Sequence, residues 1–222
     1  MKLSNSTLKI LRNFSDINNT ILIRKGKSIV TVDPQKRIVA DANIHESLPQ
    51  DFAIYDLNKF LGVNSIWENS DLNFETDKVV FKKDSRFLDY FYSDPTVVQD
   101  AEPVRQKIPT VFNEDSIVQK FSLSEDDLKL LRQNASLLSF THVSFVSDSD
   151  GMRVVAQDIS TPTHGKFNLQ VSGESKESGS YNMLFENLKI LPDSYDVEVS
   201  PTVAHFVGKT TGVQYWIVME AI

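Results

Sequence analysis

The segment Leu8-Lys9-Ile10-Leu11-Arg12-Asn13 recurs in the second half of the chain as Leu128-Lys129-Leu130-Leu131-Arg132-Gln133, and β-hairpin patterns follow both copies. A second echo pairs Asp56-Leu57-Asn58-Lys59-Phe60-Leu61 with Glu186-Asn187-Leu188-Lys189-Ile190-Leu191, in the same order and at a similar offset. A long-period repeat restricts the architecture more than any local pattern does, because each copy must fold as a similar unit around its own core. The 222 residues suffice for two cores of about 100 residues each.

The first copy reads as a helix over 6–18, then strands over 20–25, 28–33 and 37–42, with Lys25-Gly26-Lys27 and Asp33-Pro34-Gln35 as turns. A short helix over 56–64 and strands over 72–76, 78–83 and 86–92 complete it. The second copy opens with a helix over 125–138, with Ser124 as N-cap and three acids in the first turn. Strands over 140–146, 152–158, 166–172, 195–200, 203–208 and 213–219 follow, interrupted by a helix over 186–191. Pro95, Pro103 and Pro109 mark residues 93–113 as an extended connector. The predicted fold is α+β, with similar domains over 1–92 and 114–222.

Both repeated helices carry the same polar stripe. Lys9, Arg12, Asn13 and Asp16 follow i, i+3, i+4, i+7 spacing, opposite Ile10, Leu11, Phe14 and Ile17. In the second helix Lys129, Arg132, Gln133 and Ser136 occupy that face, with Leu128, Leu131, Ala135 and Leu138 behind. If both copies face a common cavity, these residues join Lys59 and Lys189 in a positive lining; the alternative is two amphipathic helices whose basic residues are merely solvated.

The net charge of −7 argues against a protein that coats DNA, since phosphate neutralisation needs a clustered excess of Lys and Arg. There is no cysteine, which excludes disulfides, thiol nucleophiles and thiolate zinc sites and fits a reducing cytoplasm. The polar start, Met1 to Ser6, has no apolar leader core, and no run approaches the ~18 apolar residues of a membrane span, so the expected chain is neither exported nor inserted. Gly26-Lys27-Ser28 lacks the first glycine of a phosphate loop, since that position is Ile21. Asp148-Ser149-Asp150-Gly151 lacks the later ligands of a calcium loop and reads as a tight turn. His45, His142, His164 and His205 show no metal-ligand spacing. No catalytic residue, metal or cofactor is expected.

Met1-Lys2-Leu3-Ser4, the run Phe52-Ala53-Ile54-Tyr55-Asp56-Leu57-Asn58-Lys59-Phe60-Leu61-Gly62, and Asp94-Pro95-Thr96-Val97-Val98 resemble the sliding clamps of T-even-like phages. The resemblance runs along nearly the whole chain and is most specific in the central run. It implies a homotrimeric ring with two clamp-type domains per chain, helices lining the hole and β-sheets outside. It further implies encircled double-stranded DNA, a DNA polymerase docked through C-terminal peptides, a clamp loader that uses ATP, and support of late transcription, all in the cytoplasm of an infected bacterium. On that reading Lys9, Arg12, Asn13, Lys59, Lys129, Arg132, Gln133 and Lys189 face DNA.

Two further surfaces are expected. Exposed strand edges must be covered, which a ring achieves by head-to-tail pairing, with Phe87, Tyr90 and Tyr92 on one edge and Phe167, Leu169 and Val171 on the other. In the last strand Val213, Tyr215, Ile217 and Met219 alternate with Gln214, Trp216, Val218 and Glu220. The second face is either covered or part of a partner groove bounded by Ile108, Phe112, Val203, Trp216 and Val218. The competing function is a virion structural or interaction protein with no role on DNA.

Overall fold

Ser4 caps the first helix, α1 (Asn5–Ile17), its Oγ accepting from the Thr7 amide at 3.3 Å. The Glu46 carboxylate fixes the same turn by accepting from the Ser4 amide and from Thr7 Oγ1. Burial pushes that carboxyl upward, but the bonds from Thr7 and Ser4 outweigh it and hold its pKa below the ordinary glutamate value. The computed structural model describes residues 1–161 and 165–220, so His164 lies outside the described residues. The chain divides into two compact units, Met1–Arg105 and Gln106–Ile222.

In the first unit β1 (Ile21–Ile23) pairs antiparallel with β4 (Phe52–Ile54), and β2 (Gly26–Val32) with β3 (Ile38–Leu48). The apolar face of α1, with Ile10, Leu11 and Phe14 at most 5% exposed, packs on β2 and β3. Asn19 joins α1 to α2 (Leu57–Ile66): its carbonyl accepts from the Leu57 amide at 2.8 Å and its Oδ1 from the Asn58 amide at 2.9 Å. A meander of β5 (Asp71–Phe74), β6 (Lys78–Lys83) and β7 (Arg86–Phe91) follows, with β7 at its edge. The short helix α3 (Glu102–Arg105) packs against β2, and its Arg105 pairs with Asp41 on the neighbouring β3 at 2.9 Å.

The second unit opens with a single helical turn, α4 (Ile108–Val111). It continues through β8 (Gln119–Leu123), α5 (Glu125–Leu137), β9 (His142–Asp148), β10 (Gly151–Gln157), β11 (Phe167–Val171), β12 (Gly173–Ser175) and β13 (Gly179–Leu184). The last strands are β14 (Tyr195–Val199), β15 (Val203–Gly208) and β16 (Gln214–Val218). Within this unit β12, β8, β14, β15 and β16 lie side by side, and β11, β10, β9 and β13 form another sheet with β11 at its edge. Leu128, Leu131 and Ala135 seat α5 on β10 and β11. The Asp148–Gly151 turn is a hairpin bend, with Gly151 at φ +104°.

Four features depart from the sequence reading. The proline-marked connector is not extended: it folds into a 3-10 turn at Pro95–Val97 and the short helices α3 and α4, so its prolines sit at the starts of turns instead of stretching the chain. The two units meet at Arg105/Gln106, inside that segment. The expected helix over 186–191 is one 3-10 turn, Phe185–Asn187, because Pro192 disfavours helical backbone at the residue before it. Strands β4, β8, β12 and β13 had no strong local signal.

Candidate nucleic-acid interface and partner groove

On α1 the side chains of Lys9, Arg12 and Asp16 are exposed, whereas Asn13 is buried, which narrows the polar stripe. Lys59 is exposed on α2, which packs against α1, so three cations of the first unit stand on neighbouring helices. The α2 N-cap, Asp56, accepts from the Lys59 amide at 2.9 Å, and that bond first and the Asn19 side chain second keep its carboxyl ionised below the usual range. On α5, Lys129 and Gln133 are exposed, as is Lys189 beyond the 3-10 turn. Lys9, Arg12, Lys59 and Lys129 form no ion pair among the described residues.

Arg132 behaves otherwise. Its Nη2 donates to the carbonyls of Leu188 at 2.8 Å and Ile190 at 2.6 Å, and burial lowers the guanidinium pKa from its ordinary value. The same loop is tied by Tyr195 Oη donating to the Leu191 carbonyl at 2.6 Å and by the Leu191 amide donating to Tyr215 Oη at 3.1 Å. Arg132 is therefore a bracket for residues 188–191, and the basic stripe of the second unit is reduced to Lys129 and Lys189. Leu138, read as a core position, is the α5 C-cap and is half exposed, beside Leu137 at 81%.

Both expected edge strands, β7 and β11, lie at the edges of their sheets. Along β7 the faces alternate. Tyr90 and Tyr92 turn inward: Tyr90 meets Phe60 edge-on at 5.3 Å and donates to the Asp56 carbonyl, and Tyr92 stacks on Phe52 at 5.1 Å. Phe87 and Phe91 take the outer face, 70% and 62% exposed. Tyr90 and Tyr92 are thus half-buried against the inner face of the first unit, and Phe91, which the sequence reading omitted, is its second outward aromatic. Phe167, Leu169 and Val171 on β11 are half-buried, alternating with exposed Asn168 and Gln170.

The groove residues of the second unit converge. Phe112 and Val203 are buried with Ile117, and Ile108 and Trp216 pack against them. His205, missed in the sequence, stacks on Trp216 at 4.7 Å with rings nearly parallel and meets Phe112 edge-on at 5.3 Å. Its nitrogens face Glu198 Oε2 at 3.2 Å and Gln214 Oε1 at 3.0 Å. Register pairing of His205 with Glu198 and Trp216 across β14, β15 and β16 was the signal that could have found it. Val218 is left 42% exposed.

Residues 2–87 match the family described as DNA polymerase processivity factor. The chain is 30% identical to the sliding clamp of Escherichia phage RB69, over all of this chain and 97% of that one. It is 29% identical to the sliding clamp of Vibrio phage KVP40 over the whole of both. Among solved structures, PCNA of Thermococcus kodakaraensis superposes with a TM-score of 0.68 at 13% identity, covering 98% of each chain. PCNA of A. fulgidus bound to the C-terminal region of FEN-1 gives 0.69 at 14%, covering 99% of this chain and 97% of that one.

Proposed function

The chain belongs to the sliding-clamp family of T-even-type phages, DNA polymerase processivity factors with the DNA-clamp α+β fold, and on that premise we propose that three copies close head to tail around duplex DNA. The observation that carries this reading is the set of exposed cations on helices, Lys9, Arg12, Lys59 and Lys129, in a chain of net charge −7. An acidic exterior repels DNA, while a lining of unpaired lysine and arginine touches phosphates transiently, without base readout, and so permits sliding. Gln133 and Lys189 belong to the same lining; Asn13 and Arg132 serve the fold.

The ring does no chemistry of its own and takes no cofactor or metal. A clamp loader using ATP opens it, the replicative polymerase docks through a C-terminal peptide at Trp216 and Val218, and late-transcription factors use the same ring, in the cytoplasm of the infected bacterium. Edge β7, with Phe87 and Phe91, meets edge β11 of the next copy.

Light scattering at micromolar concentration tests assembly, with three times the chain mass expected. Loader-assembled protein should stay on nicked circular DNA until the circle is cut. Changing Lys9, Arg12, Lys59 and Lys129 together to Glu should abolish retention while the circular dichroism spectrum is unchanged. Full retention by that variant would remove the basic lining from the mechanism, and a monomer at all concentrations would remove the ring.

A further inference from the structure

From Gln106 to Ser116 the one buried side chain is Phe112, 8% exposed. Over residues 107–116 the backbone–backbone bonds are local: the Thr110 amide donates to the Lys107 carbonyl, Phe112 to Ile108, and Ser116 to Asn113. Lys120 and Lys176 reach Glu114 at 3.1 and 3.3 Å, but both are contacts at an exposed residue and contribute little to holding the segment. Within the segment the apolar hold is carried by the Phe112 ring, with Ile108 beside it, and Ile117, 2% exposed in the same cluster, anchors the chain just beyond.

What receives that ring is built differently. Val203 and Trp216 stand on paired strands, and His205 is fixed from both ring nitrogens and by stacking. A rigid aromatic slot is thus filled by one side chain from a weakly tied segment. We propose that Phe112 is a displaceable occupant of the partner groove: a docking peptide replaces it with an aromatic side chain of its own and is selected by that side chain. This rests on the reading of Trp216 and Val218 as the docking surface. The slot is suited to a flat ring because His205 and Trp216 offer a parallel-stacked wall and Phe112 already meets it edge-on. An internal occupant present nine-tenths of the time weakens the apparent affinity for an external one about tenfold.

The test uses the full chain in two arms. In calorimetry with the C-terminal peptide of the phage's own polymerase, Phe112→Ala should bind about tenfold more tightly than wild type, Phe112→Leu should fall between, and Trp216→Ala should bind more weakly. If Phe112→Ala weakens binding as Trp216→Ala does, Phe112 is a wall of the groove and the proposal is overturned. The second arm needs no partner: benzyl alcohol, followed by saturation-transfer NMR, should bind Phe112→Ala and not wild type. A slot that takes no aromatic probe overturns the proposal whatever the peptide does. Probe binding without peptide binding by any form retires the polymerase-docking reading and the proposal that rests on it, because truncating a fixed core ring also opens a cavity for an aromatic, whereas weaker peptide binding by Phe112→Ala overturns the proposal alone.

Discussion

Arg12 and Arg132 hold matching positions in the two copies of the repeat, yet Arg12 is exposed and unpaired while Arg132 donates to the Leu188 and Ile190 carbonyls. Sequence spacing cannot separate them, because a bond to backbone carbonyls leaves no partner side chain to recognise. Removing Arg132 strips two carbonyls of their donor, so Arg132→Ala should lower unfolding stability by about 1–3 kcal/mol. Arg12→Ala should stay within about 0.5 kcal/mol, and urea titration of both compares them directly. Tyr195 and Tyr215 bracket the same loop, and burial, the largest cause for each, pushes both phenols well above the ordinary tyrosine range. A raised folded pKa means that this stability is fully present below the unfolded value of about 10. It is lost as pH rises beyond it, because the unfolded chain releases its protons first. The urea midpoint should therefore be level through neutral pH and fall above about pH 10, with a shallower fall in the Tyr195→Phe, Tyr215→Phe double variant.

At the scale of elements, β7 explains why the sequence reading took aromatics from both faces of one strand. Phe87-Leu88-Asp89-Tyr90-Phe91-Tyr92 carries aromatic residues on both faces, so alternation gives no polar side to set the phase. The phase is set by Phe60 and Phe52, which receive Tyr90 and Tyr92. Changing Phe87 and Phe91 together to Asp should dissociate the assembly in analytical ultracentrifugation while leaving the melting temperature of the monomer near that of wild type. Tyr90→Ala should instead lower thermal stability, since it removes a packed ring. Helix α5 was legible from its Ser124 cap and its periodicity, and α1 from periodicity alone, its Ser4 cap emerging only in the structure. Strand β13 was not, because Gly179-Ser180-Tyr181-Asn182 has weak strand preference and is extended through its pairing with β9. The lost helix at 186–191 shows the limit of arguing by repeat: Pro192 overrode the echo of α2.

For the whole molecule the α+β class was legible, and the chain does divide into two compact units. What stayed hidden was which copies of a repeated residue had kept a solvent-facing role. The proposed trimer would carry 3 × (−7) = −21 formal charges, and apolar edges such as Phe87 and Phe91 would have to offset that repulsion. Raising salt from about 20 to about 200 mM screens that repulsion and should tighten self-association. Weaker association with salt, measured by sedimentation, would mean that ion pairs hold the chains. The two edges also differ in kind: β7 offers exposed aromatic rings, and β11 offers half-buried aliphatic and aromatic residues between Asn168 and Gln170. Edges this unlike cannot pair about a twofold axis, so copies joined through them meet head to tail, and in the proposed closed ring they are related by rotation about a single axis. Such an assembly has a front and a back. Its three Trp216 slots open toward the same side, and a duplex can be threaded in either of two senses, only one of which puts all three slots on the side of the growing strand.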